Sequence, residues 1–287
     1  MTVKTGLLVA LGVITAAFTV LWGLSLRAAG VRRPTAAELG IGFLTDFLDT
    51  LGIGSFAVTT ALFKLLRTCP DEDIPGSLNV GHAIPTFAEA FIFIALVEVE
   101  GKTLALMILA SVLGAWLGAG YVASWSRRKI QIGMGVALLV AAAFFVMKNM
   151  GLFPPGGDAL SLSGGLLWAG LIGNFIFGAL MTLGIGAYAP SMILVSLLGM
   201  NPSAAFPIMM GSCAFLMPAA SVKFVQQKRY APAPSLGLTL GGTPAVLIAA
   251  YVVKSLPMTA LRWLIIVVVL YTAVMMLRSA AAESKTA

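Results

Sequence analysis

The run Thr-Leu-Gly-Ile-Gly occurs twice in this chain, as Thr50-Leu51-Gly52-Ile53-Gly54 and as Thr182-Leu183-Gly184-Ile185-Gly186. A helix that stops at Gly52 and Gly54, or at Gly184 and Gly186, and restarts beyond them aims free backbone N–H groups ahead of it. Such an end carries about half a positive charge and binds an anion without Arg or Lys. Thr50, Ser55, Thr182 and Tyr188 flank the breaks and can donate hydrogen bonds to oxyanion oxygens. The competing reading is that the glycines only let helices pack closely.

A second group lies downstream. Asn79, His82 and Thr86 fall at i, i+3 and i+7 on one helical face, and Glu89 continues it. A polar stripe on a membrane helix should face the bundle interior, for substrate contact or for hydrogen bonds between helices. Pro85 is expected to kink this helix. Ser212, within Gly211-Ser212-Cys213, is the counterpart contact expected later in the chain. Asp46, Asp49 and Glu89 are the acids expected within the membrane, where each charge costs about 2.5–3.5 kcal/mol on insertion scales. They are candidates for proton coupling, with Asp49 alternatively capping the N–H groups after the break. The Asp71-Glu72-Asp73 run reads as a solvated turn, and Met209, Met210 and Met217 as packing.

Other chemistries find little support. No nucleoside-triphosphate motif Gly-x-x-x-x-Gly-Lys is present, so ATP hydrolysis is not expected. One histidine and two unpaired cysteines, Cys69 and Cys213, offer neither a metal knuckle nor a disulfide framework. No cofactor, metal or catalytic residue is expected, and the chain is not read as an enzyme. An intramembrane aspartyl protease needs aspartates on separate helices, and Asp46 and Asp49 are three residues apart on one.

The elements that must position these groups are transmembrane helices. Of 287 residues 59% are apolar and 10% charged, against about a quarter charged in soluble domains. The net charge of +7 fits loop Lys and Arg that set orientation and touch anionic lipid, and no nucleic-acid partner is expected. Hydropathy gives segments 5–27, 37–66, 76–97, 103–125, 129–147, 163–199, 203–226, 233–253 and 258–277. The first is read as a retained helix, not a cleaved leader.

Segments 37–66 and 163–199 are long, Gly-broken in the middle and alike. At an offset of 132, fourteen of thirty-seven positions agree between 39–75 and 171–207, including Pro70 with Pro202 and Pro75 with Pro207. This predicts an extra N-terminal helix (1–35) and two repeats (36–150 and 151–287). If both broken segments turn back at the break, the eighteen Lys and Arg divide thirteen to five, a normal positive-inside bias. If all nine segments cross, they divide ten to eight. The half-segments, of about 12–14 residues, suit re-entrant helices. Three full crossings per half then invert the second repeat, a pattern that points to a transporter site at the midplane. The expected fold is an all-α integral membrane protein of two inverted repeats. Each is a re-entrant hairpin plus three transmembrane helices.

At Asp49-Thr50-Leu51-Gly52-Ile53-Gly54-Ser55-Phe56 and Met181-Thr182-Leu183-Gly184-Ile185-Gly186-Ala187-Tyr188-Ala189-Pro190 the chain resembles the TauE/SafE sulfite exporter family. Ile74 to Thr86 and Ala205 to Cys213 add to the likeness, which covers about residues 36–277. Where this chain has Gly54-Ser55-Phe56, members of that family often carry a run of glycines. The resemblance implies a secondary transporter, acting as an exporter, of sulfite, an organosulfonate or a related sulfur oxyanion. It also implies a bacterial inner membrane. The charge bias places the N-terminus outside and the C-terminus in the cytoplasm. Partners expected are the anionic substrate and membrane lipid, with homo-oligomerisation open. An anion channel and a membrane-embedded thiol redox carrier are the alternatives. The redox carrier is disfavoured because Cys69 and Cys213 do not occupy equivalent repeat positions.

Overall fold

The computed structural model describes residues 2–251 and 258–283. Lys254 and Lys285 of the charge count lie outside them. Among the described residues every regular element is helical: α1 (Val3–Ala28), α2 (Ala36–Thr50), α3 (Ser55–Leu66), α4 (Ile74–Gly81), α5 (Ala83–Leu96), α6 (Gly101–Ala123), α7 (Arg127–Asn149), α8 (Gly164–Met181), α9 (Tyr188–Leu197), α10 (Ala205–Gln226), α11 (Pro232–Tyr251) and α12 (Met258–Glu283). Single 3-10 turns precede α4 and α10. Eight helical stretches are long and apolar enough to cross a membrane, α4 and α5 counting as one with the turn before them. The chain is a multi-pass membrane protein.

The long segments break where the glycines are. Gly52 and Gly54 have φ of 86° and 92°, and Gly184 has 102°, values open to glycine and strained for other residues. The resulting arms are not equal: α2 has 15 residues, α3 12, α8 18 and α9 10. The expected half-segment length is therefore wrong for α8, which is long enough to count as a span. The cause lies at its start. A capping box between Thr35 and Glu38 stops α2 at Ala36. The positions 132 residues later are Leu167 and Gly170, which cannot cap, so α8 runs back to Gly164.

Contacts fix which ends meet. Glu38, in the first turn of α2, packs on Gly237 of α11. Arg229, just before α11, reaches Glu72 O (3.3 Å) and Trp125 O (3.2 Å). Lys64, near the end of α3, pairs with Asp71, which also accepts from Gln131 Nε2 at 2.8 Å. At the other end Lys4 Nζ donates to Val97 O (2.9 Å), Glu100 N to Leu160 O (2.8 Å) and Leu162 N to the Thr103 hydroxyl (3.0 Å). Gly157 N bonds Met200 O there at 3.0 Å. The 23 residues of α6, about 34 Å of helix, separate the two ends. The α2–α3 pair thus starts and finishes at one end of the bundle, and α8–α9 at the other.

The Asp71-Glu72-Asp73 turn is not merely solvated. Asp71 is 5% exposed and paired with Lys64, while Glu72 pairs with Arg127 and Asp73 with Arg229. Burial of the Asp71 carboxylate requires those partners.

Close helix contacts rest on glycine. A Cβ at Gly42 of α2 would lie 2.6 Å from Leu238 Cα of α11. In the other half the residue 132 later is Asn174, whose amide donates to Met107 O of α6 at 2.6 Å, and Met107 stands 131 before Leu238. One turn on, the Asp46 carboxylate fills the space a Cβ at Gly242 would need, and the backbone of Ser111 the space a Cβ at Gly178 would need. These positions, 46 with 178 and 111 with 242, keep the same two spacings. Both interfaces set glycine at the approach, against a side chain at Gly242 and against backbone at Gly178.

The α4–α5 break falls at His82, three residues before Pro85, as the kink expectation requires. Pro85 has no N–H for Gly81 O, and the Thr239 hydroxyl of α11 supplies that bond at 2.7 Å. Thr239→Val should therefore leave a buried carbonyl unsatisfied and lower stability by about 1–3 kcal/mol. Thermal unfolding in detergent would measure this, and an unchanged midpoint would contradict the assignment.

Candidate functional site

Both breaks open onto one small cavity. Its lining includes Asp49, Gly54, Ser55 and Phe56 from the first hairpin and Met181, Gly186, Ala187 and Tyr188 from the second. These are four pairs at the spacing of 132. Thr86, Met209, Met210, Cys213 and Met217 close the sides. A second, apolar cavity lies against Gly54, Gly186 and Tyr188 and is walled by Ile53, Ile185 and Phe145. The first cavity measures about 20 Å³, room for one water molecule. In this conformation it is too small for a tetrahedral oxyanion.

The two tips differ in charge. Asp49 Oδ2 accepts from the Ser55 hydroxyl at 2.6 Å and lies within reach of the Ser55 N–H. The chain's own carboxylate thus occupies the start of α3. Met181 stands at the equivalent place before α9, whose N-cap Ala187 brings no side-chain acceptor. Tyr188 lays its hydroxyl against Gly52, where any Cβ would come within 2.7 Å of it.

The other expected site residues form a buried polar layer behind the cavity. Asp46 Oδ1 lies 2.7 Å from His82 Nδ1, and His82 Nε2 lies 3.0 Å from the Thr59 hydroxyl. Thr50 Oγ1 lies 2.7 Å from Glu89 Oε1 and 2.9 Å from Asp46 O. Asp46, His82 and Glu89 are all 0% exposed. No Lys or Arg pairs with Asp46, Asp49 or Glu89 among the described residues.

Of the expected substrate contacts, Gly54, Ser55, Gly186 and Tyr188 line the cavity, with Asp49 from the proton-coupling set. Thr50, His82, Asp46 and Glu89 bind one another behind it. Asn79 turns back to Pro75 O (2.9 Å), Thr182 to Ala179 O (2.7 Å), and Ser212 accepts from Asn174 (2.9 Å). Gly52 and Gly184 shape the turns. Thr86 is the stripe residue that faces the cavity.

Sequence reasoning passed over Thr59 and Asn174, whose hydrogen bonds cross between helices; Met209, Met210 and Met217 pack in the core, as expected, and also line the cavity. Met209, Met210 and Met217 stand in the segment after the second break, while the segment after the first has no methionine. Cys213 Sγ lies 3.5 Å from Met181 Sδ, and Cys69 sits in the loop at the bundle end. Both thiols are free, and burial pushes Cys69 above the ordinary thiol range. Among the described residues no cluster of His, Cys, Asp or Glu could hold a metal. No family model, curated protein or solved structure matches the chain.

Proposed function

We propose that this protein is a secondary transporter of a small anion, a sulfite, organosulfonate or related sulfur oxyanion, working through two inverted repeats. The observation that carries this reading is the single cavity lined by four residue pairs at one spacing, where two broken hairpins from opposite ends meet. Irregular backbone at such depth is tolerated only when buried or lining a cavity, and transporters place their sites there. The first turns of α3 and α9 both start at the cavity and offer N–H groups to an anion. Met181, Met209, Met210 and Met217 give a polarisable wall suited to a sulfur-centred ion. The resemblance to the TauE/SafE family points the same way. The end bearing Lys64, Arg127 and Arg229 is read as cytoplasmic.

Reconstitution tests this. Liposomes holding the purified protein should show saturable flux of at least one of sulfite, sulfoacetate, thiosulfate and sulfate. Flux no faster than in empty liposomes for all four would overturn the reading.

Asp49 gives a sharper expectation. Its charge competes with the substrate for the start of α3. Asp49→Asn should lower the KM for the transported anion by about tenfold, or 1.4 kcal/mol. That is a modest share of the roughly 4 kcal/mol felt by like charges about 4 Å apart at an effective dielectric of about 20. Initial rates against anion concentration would show it. A raised KM would mean that Asp49 helps binding.

A further inference from the structure

We infer that two protons latch the first hairpin shut, one shared by Asp46 and His82 and one on Glu89, and that neither site touches the carried anion. The inference rests on the carrier reading and assigns its coupling ion. It follows from counting hydrogens. The Thr59 hydroxyl lies 2.9 Å from Ser55 O, a group that only accepts. Its single hydrogen goes there, so Thr59 Oγ1 must accept from His82 Nε2–H. One further proton then sits between His82 Nδ1 and Asp46 Oδ1. Without it, a carboxylate would face a nitrogen lone pair at 2.7 Å. The same logic applies at Thr50. Its one hydrogen cannot serve both Asp46 O and Glu89 Oε1, and both contacts are hydrogen bonds when Glu89 carries a proton and donates.

Both latches tie the last turn of α2 to the α4–α5 span. Between His82 and Glu89 on that span stands Thr86, which lines the cavity. Loss of either proton puts a bare carboxylate in a layer that offers it no cation, and the hairpin lets go beside the substrate. The groups facing this layer are few. Asp49 on α2 is held by Ser55, while α9 brings Tyr188 and α10 brings Cys213. From α3 come Thr59 and the ring of Phe56, 5.8 Å from that of His82. From α11 come Gly242 and Thr239, both without charge. The second half lacks the device, since Gly178 and Ser221 stand 132 residues after Asp46 and Glu89.

His82 is the chain's one histidine, so protein labelled with 15N-histidine, purified without a polyhistidine tag, reports it alone. In lipid nanodiscs Nε2 should be protonated, and the Nδ1 resonance should carry a shared proton that changes in Asp46→Asn. An unprotonated Nε2, or a Nδ1 signal indifferent to Asp46→Asn, would overturn the assignment. The infrared C=O stretch of a protonated carboxyl should disappear in Glu89→Gln, and its persistence would likewise overturn it. In liposomes both variants should keep anion exchange while uptake driven by a pH gradient falls at least about tenfold. Full gradient-driven uptake in both would refute the latch. Should the unmodified protein move none of the four anions, the carrier reading fails, and the spectra still decide where the protons are.

Discussion

Gly186→Leu should cut anion flux by at least about tenfold, a barrier rise of about 1.4 kcal/mol, and leave thermal stability unchanged. Gly186 is not held at positive φ, no atom lies within 4 Å of where its Cβ would stand, and it borders both cavities. A side chain there enters the space through which the anion must pass. Gly178, eight residues earlier in α8, is the control. Its Cβ would meet the backbone of Ser111, and Gly178→Leu should destabilise by about 1–3 kcal/mol or more through overpacking. Flux per folded molecule together with thermal unfolding separates the two. If Gly186→Leu transports normally, the repeated glycines serve packing alone. If it unfolds the protein, the space beside Gly186 is not open.

The second large effect concerns the interface that carries Asp46. Gly242→Ala should prevent folding or abolish transport, because the methyl would occupy the place of the Asp46 carboxylate. The equivalent interface has glycine at 178 and serine at 111, with the Ser111 backbone as the close contact. Placing the same residue types here, Asp46→Gly with Gly242→Ser, should restore the fold without restoring coupling. The double variant is expected to elute as a single species and to exchange anion for anion. Its gradient-driven uptake should be at least about tenfold below normal. Neighbouring sites of this kind are strongly non-additive, so the pair must be compared with both single variants. A double variant no more stable than Gly242→Ala would contradict the equivalence of the two interfaces. One that kept full proton-driven uptake would contradict the role of Asp46.

Much of this was legible because glycine and proline punctuate strongly. The duplicated Thr-Leu-Gly-Ile-Gly run, in phase with two prolines, located both breaks, and Pro85 located the interruption at His82. Composition alone required a multi-pass membrane protein. The start of α8 was legible, one residue from the segment start read at 163; what failed was the assumption of half-segments of about 12–14 residues, since the missing cap lets α8 begin well before the position equivalent to the start of α2. Nor was the pairing of Asp46 with His82. They lie 36 positions apart, and no local pattern says which polar faces meet across a helix boundary. A helical stripe on the third segment suggested four residues facing one site. The break at His82 instead sends Asn79 to its own backbone, His82 and Glu89 to α2, and Thr86 to the cavity. Asp71 looked solvated because three acids in a row usually are, and nothing local says that Lys64, seven residues back on α3, and Gln131, sixty residues on, close over it. That the Asp46 carboxylate sits where Gly242 has no side chain is visible only in the packed structure.

The proposed transporter requires two hairpins that enter from opposite faces of the membrane and meet in the middle. Single cysteines placed in a Cys69→Ser, Cys213→Ser background test it directly with a membrane-impermeant thiol reagent added to sealed vesicles of known orientation. Ala36→Cys and Arg67→Cys, at the two feet of the first hairpin, should react from one side only. Ser163→Cys and Ser203→Cys, at the feet of the second, should react only from the other. Labelling of Ala36→Cys and Arg67→Cys from opposite sides would mean that the first broken segment crosses the membrane, and the shared cavity could not be formed by two such tips.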